Sequence, residues 1–222
     1  RAQQALALPA ERRAEGVHEA RKRLKELRAV LRLVRPRLGT KRFRRENARL
    51  RDIARGLAEL RDAAALVEAW DKLAAAEPRR FASPAMARVR ERLAARARDG
   101  AGEEPAAGPA AIAEARTALA EAAAGVPSWP LAGGGFGLLR GGLGRSLVDG
   151  ARRLAELDAG VTDDRLHEWR KRVKDHWYHT CLLEQVWPAA LDNRRRLLKG
   201  LADALGDDHD LAMMQGLMTD EP

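Results

Sequence analysis

Residues 17–25 read VHEARKRLK, and residues 166–174 read LHEWRKRVK. Both contain H-E-x-R-K-R-x-K, six identities in eight positions, at an offset of 149. A match of that density inside one chain marks an internal repeat. The stretch that follows repeats more weakly. LRDIARGLAELRD at 50–62 lies against LKGLADALGDDHD at 198–210, offset by 148, pairing Arg51 with Lys199 and Asp62 with Asp210. The chain therefore reads as two copies of one helical unit.

The periodicity around the first motif is helical. Val17, Ala20, Leu24, Leu27, Leu31 and Val34 are spaced 3, 4, 3, 4 and 3 residues apart, a stripe that faces a core. One residue after each comes His18, Arg21, Lys25, Arg28, Arg32 and Arg35, a second stripe about 100° around the helix. All its members are basic or titratable to cations. Ordinary solvated helix faces mix signs at i,i+4 spacing. Here Glu19 and Glu26 lie toward Lys22 and Arg23 on the outer side, so the basic stripe lacks intrahelical partners and calls for an anion.

The next helix repeats the pattern. Phe43, Leu50, Ile53, Leu57 and Leu60 form its apolar line. Arg44, Asn47, Arg51 and Arg61 follow one residue later, with Ala54 and Ala58 between them. Small residues among long cations leave room for a groove. In the second copy the stripe is His167, Arg170 and Lys174, then Trp177 and Cys181, with Arg195, Lys199 and His209 on the partner helix.

Helix follows helix along the whole chain. A short piece at 1–7 precedes helices at about 12–35, 41–76, 84–98, 110–124, 137–158, 162–186 and 189–218. Pro36 and Gly39 are expected to end the first long helix, and Thr40 to cap the next. Ser83-Pro84, Thr162 and Pro188 mark later starts. No run alternates apolar and polar residues, so no sheet is expected and the fold class is all-α. DGAGEEPAAGPA, 99–110, reads as a linker. It separates a first unit over 1–99 from a second over 111–222.

Composition agrees. The 222 residues are 45% apolar, mostly Ala and Leu, 4% aromatic and 33% charged, with 41 Lys and Arg against 32 Asp and Glu. The net charge is +9 and the pI about 10.5. The charge is uneven: residues 1–100 hold 27 cations and 13 anions, residues 101–222 hold 14 and 19. A basic half of this kind attracts polyanions. One cysteine, Cys181, excludes an internal disulfide and a cysteine zinc site. No apolar run reaches the ~18 residues of a membrane span, and no signal-peptide pattern is visible. A cytoplasmic protein without membrane partners is expected. The start at Arg1 and the end at Pro222, just after a helical stretch, read as a trimmed piece.

The residue chemistry favours phosphate. Arginine holds phosphate oxygens with a planar fork and lysine adds a mobile point charge. His18 and His167 fall in the first turns of their helices, where the helix dipole also favours an anion. Asp207-Asp208-His209-Asp210 and the His176/His179 pair could suggest a metal enzyme. No further convergent ligand set accompanies them, so neither catalysis nor a metal or other cofactor is expected. Nucleic acid and acidic partner proteins remain rivals. They require basic residues on a convex face, whereas polyphosphate requires them in a concave one.

HEARKRLKELR at 18–28, HEWRKRVK at 167–174 and LGDDHDLAMM at 205–214 resemble the CHAD domain, the conserved histidine α-helical domain. The resemblance implies two pseudo-symmetric four-helix bundle halves around a basic central groove or pore. It also implies binding of inorganic polyphosphate, with association with polyphosphate granules for some members. The motif H-x-x-R-x-x-x-K-x-x-R falls on His18, Arg21, Lys25 and Arg28, and on His167, Arg170 and Lys174, with Trp177 in the last place. It further implies that the second unit lacks its last helix here. The expected polyphosphate ligands are His18, Arg21, Lys22, Lys25, Arg28, Arg32, Arg44, Arg51, His167, Arg170, Lys171, Lys174, Arg195 and Lys199, with phosphate or sulfate as mimics.

Overall fold

The computed structural model describes residues 1–57, 62–99 and 109–219, and side chains within 1–57, 66–95 and 109–216. All regular structure among them is helical. The helices are α1 (Ala2–Ala5), α2 (Arg13–Leu38), α3 (Thr40–Gly56), α4 (Asp62–Ala76), α5 (Pro78–Phe81), α6 (Pro84–Asp99), α7 (Pro109–Gly125), α8 (Arg140–Ala155), α9 (Asp163–Glu184) and α10 (Pro188–Thr219). Short 3-10 turns at Ala10–Arg12, Val126–Ser128, Phe136–Leu138 and Glu156–Ala159 join them.

Local chemistry explains most starts. Pro78, Pro84, Pro109 and Pro188 each open a helix, where the missing N–H is not needed. The Ser83 hydroxyl accepts from the Met86 N–H at 3.3 Å, and Thr162 does the same for Arg165. Three expectations are corrected. Helix α2 runs through Pro36 to Leu38, because a proline in the last turn forfeits only one hydrogen bond and Leu38 gains burial. Gly39, at φ 75°, ends α2 and itself precedes α3, so Thr40 is the first helical residue rather than a cap. The helix expected over 41–76 is two, since α3 ends at Gly56. Leu60 and Arg61 of its expected stripes, and residues 100–108 of the expected linker, lie outside the described residues.

Helix α2 is the centre of the molecule. Its predicted stripe packs against α1 and α3: Val17, Ala20, Leu24, Leu31 and Val34 are buried with Phe43, Leu50 and Ile53, and Leu119 of α7 belongs to the same core. Leu27 departs from the stripe. It is 42% exposed and sits on the wall of an apolar cavity of about 410 Å³, with Val30 and Trp129. A second face of α2, with Ala29 and Leu33 fully buried, receives α8 and α9. Gly142 of α8 lies so close that a Cβ there would collide with the Leu33 carbonyl.

Two further cores complete the packing. Val173, Ala202 and Leu205 join α9 to α10, the most extensive helix pair. Trp70, Leu93 and Met214 join the α4–α6 pair to the end of α10. Elements thus cross between the sequence halves. Helix α7, from after the linker stretch, packs on α1 and α3, while α4 from before it packs on α10. The Lys72–Asp207 ion pair at 2.5 Å ties α4 to α10.

Candidate anion-binding site

The N-terminal half of α2 faces α9 and α10 across a cavity of about 380 Å³. Helix α2 supplies His18, Arg21, Lys22 and Lys25. Helix α9 supplies Lys174, Trp177 and Tyr178, and α10 supplies Lys199, Ala202 and Asp203. Helical spacing explains the set: 18, 21, 22 and 25 share one face of α2, and 174, 177 and 178 one face of α9.

The cations in this cavity feel one another. Burial pushes the Lys174 ammonium down to about 8, helped by the charges of Arg170 and Lys25, opposed by Asp203, and lowered again by Lys199. Lys199 Nζ lies 2.6 Å from both carboxylate oxygens of Asp203. Tyr178 is pushed up to about 12, chiefly by burial and then by the carboxylate of Glu26. The indole N–H of Trp177 is buried and has no hydrogen-bond partner among the described residues.

With that arrangement in view, comparison with known families is decisive: the family model of the CHAD domain matches residues 1–219. The chain belongs to the CHAD domain family. Searches of curated proteins and of solved structures find no match.

In this CHAD domain six of the expected ligands converge on the cavity: His18, Arg21, Lys22, Lys25, Lys174 and Lys199. The other eight lie elsewhere. The lower half of the α2 stripe is engaged in packing. Arg28 Nε donates to Asn47 Oδ1 at 3.1 Å, and Arg32 Nε lies 3.2 Å from Asp175 Oδ2. Arg35 stacks over Phe43 at 4.8 Å. Burial lowers the pKa of both Arg28 and Arg32, and Asp175 counteracts it in both. Arg44 is exposed, and Arg51 Nε pairs with Asp52 at 3.1 Å. Arg195 is held between Glu184 and Asp192, and Lys171 by Glu168.

His167 and Arg170 form a separate cluster with α10. The His167 ring packs on His209 with centroids 4.3 Å apart. Burial lowers the His167 pKa, followed by the charges of Lys171, His209 and Arg170. His167 Nδ1 and Arg170 Nε are buried without hydrogen-bond partners among the described residues. Burial raises Asp210, and the neighbouring Arg170 charge opposes that shift.

His176 and His179 do not face one metal. His179 Nε2 donates to the Ala29 carbonyl at 2.8 Å across the α2–α9 interface, while His176 Nε2 accepts from Arg194 Nε at 3.0 Å. No group of three or more His, Cys, Asp or Glu is poised around a metal position among the described residues. Nor is any described helix long and apolar enough to cross a membrane. The helical stripe does not point to Tyr178 or Asp203, although Asp203 stands four residues after Lys199, the spacing of a helical ion pair.

Proposed function

We propose that this domain binds inorganic polyphosphate, with its chain anchored in the cavity between α2, α9 and α10. One observation carries the reading: six basic side chains from three helices converge on a single concave site. Membership of the CHAD family supports a polyphosphate-related role. Concavity favours a flexible, slender polyanion over a rigid duplex. In this reading the domain acts by binding rather than catalysis, and bound chains carry it to polyphosphate granules in the cytoplasm. Arg44, Arg51, Lys171 and Arg195 then act as a peripheral field, while Arg28 and Arg32 stiffen the wall beneath the site.

The two-unit architecture around the groove belongs to the same proposal. Moving by 149 residues carries Arg32 and Asp175 onto Cys181 and Glu26. Burial raises the Cys181 thiol, and Glu26 is among the carboxylates that add to the shift. The nearness of Cys181 to Glu26, like that of Arg32 to Asp175, supports a pseudo-twofold relation between α2 and α9.

A second reading rests on Trp177 and Tyr178. Aromatic rings beside cations suit a nucleobase attached to phosphates, so single-stranded nucleic acid is the rival ligand. Competition separates the two. Labelled polyphosphate of defined length is challenged with single-stranded and duplex DNA at several salt concentrations. The polyphosphate reading predicts at least a tenfold advantage at equal phosphate concentration. Equal competition by DNA would reduce the site to a general polyanion surface.

A further inference from the structure

We propose that Asp203 is the cavity's resident counter-anion, which a short phosphate must displace from Lys199 and a long chain need not, so that it sets a preference for long polyphosphate over short phosphates. The proposal rests on the polyphosphate reading above. Among the described residues, Asp203 is the one acid that lines the cavity. It does not stand apart from the cations there. Both its oxygens lie 2.6 Å from Lys199 Nζ, and its charge reaches Lys174 as well.

The pair can open. The Lys199 and Asp203 side chains are 49% and 55% exposed, and they stand at i,i+4 on α10, where ion pairs are weak. Because α10 holds both residues, breaking the pair needs only rotamer changes and no shift of helices. An incoming phosphate oxygen can take the place of the carboxylate on Lys199.

That exchange handicaps a small ligand more than a long one. Orthophosphate trades one anion for another on Lys199 and gains little. A long chain can leave the pair closed, because Lys174, Lys25 and Arg21 already hold its successive phosphates. Discrimination by length then comes from a displacement penalty that a short ligand meets in full and a long chain bypasses.

The test measures affinity for triphosphate and for long-chain polyphosphate in wild type, Asp203→Asn, Lys199→Gln and the double variant. Glu121→Gln, which removes a charge on α7 that pairs with Arg49 outside the cavity, serves as control. Helicity is checked by circular dichroism in each. Asp203→Asn should tighten triphosphate binding by about three- to tenfold and long-chain binding by less than about twofold. The gain should vanish when Lys199 is already Gln. A gain that persists without Lys199, or that Glu121→Gln reproduces, would show that only net charge matters and would overturn the proposal. So would an unchanged long-to-short ratio. Failure of wild type to bind polyphosphate at all would instead sink the function itself, and the proposal with it.

Discussion

Arg32 Nε lies 3.2 Å from Asp175 Oδ2, joining α2 to α9. Arg172 Nη1 approaches the same oxygen at 3.3 Å. Neither contact is aligned as a hydrogen bond: Oδ2 is buried and without a hydrogen-bond donor among the described residues. Asp175 works by charge, as the anion that the lower α2 stripe requires. The side chains are only 19% and 11% exposed, so water screens them little. The row of cations on α2 therefore has two fates. Its upper members open onto a cavity; of its lower members Arg32 meets Asp175, Arg28 donates to Asn47 and Arg35 stacks over Phe43.

Removing that anion should be costly. Asp175→Asn leaves Arg32 and Arg172 buried without compensation and should destabilise the fold by about 3 kcal/mol. For a chain of this size the thermal midpoint should fall by roughly 6–12 °C. Replacing both Arg32 and Asp175 by Met and Leu should recover much of the loss. A change below about 1 kcal/mol for the single variant, by chemical denaturation, would refute the role given to Asp175.

The division of the stripe makes a second prediction. Arg21→Glu with Lys25→Glu should abolish polyphosphate binding with helicity unchanged. Arg44→Glu with Arg51→Glu makes the same charge change outside the cavity and should weaken binding by less than tenfold. Titration calorimetry on both double variants decides it. Equal losses would mean that net charge, not the cavity, governs binding.

Affinity should also depend on pH through Lys174. With its pKa near 8, the ammonium is charged below that value and loses its proton above it. Polyanion binding favours the charged form. Affinity should therefore fall as pH rises from 7 to 9, and binding at pH 8 should take up protons. Calorimetry in buffers of different ionisation enthalpy measures that uptake, and Lys174→Met should abolish it.

Acid should weaken the fold over a defined window. Burial holds His176 down to about 4, against 6.5 for a free imidazole, with the Arg194 charge adding to the effect. The unfolded chain takes up a proton near pH 6.5 and the folded chain only near 4, so stability falls as pH drops between those values. His167 and His179 are lowered in the same direction. Denaturation series from pH 7 to 4 should show the decline, with a shallower slope in His176→Gln.

Gly142→Ala tests the helix contact at the centre. The added methyl would meet the Leu33 backbone, which cannot rotate away. A loss of about 2 kcal/mol or more is expected from the forced separation of α2 and α8. Gly144→Ala, with nothing within 4 Å of the added atom, should instead be neutral or slightly stabilising.

Much of the helix layout was legible in local chemistry. Pro84, Thr162 and Pro188 announce helix starts because a missing N–H or a capping hydroxyl acts within one turn. The core stripe of α2 was legible at Val17, Ala20, Leu24, Leu31 and Val34, because period 3.6 and burial go together wherever a helix has one packed face. That logic fails at Ala29 and Leu33, which are buried against α8 and α9 on a second face. It fails also at Leu27, which opens onto a cavity.

The sequence alone determined most helix starts and the placing of cations beside the core of α2, since these depend on neighbours within a few residues. Only the tertiary structure decided which cations meet a ligand. Arg21 and Arg32 are members of one stripe, eleven residues apart. Arg21 faces a cavity that α9 and α10 also line, while Arg32 meets Asp175 of α9 directly. Charge is a property of the residue, but its compensation is set by what the fold brings within a few ångströms.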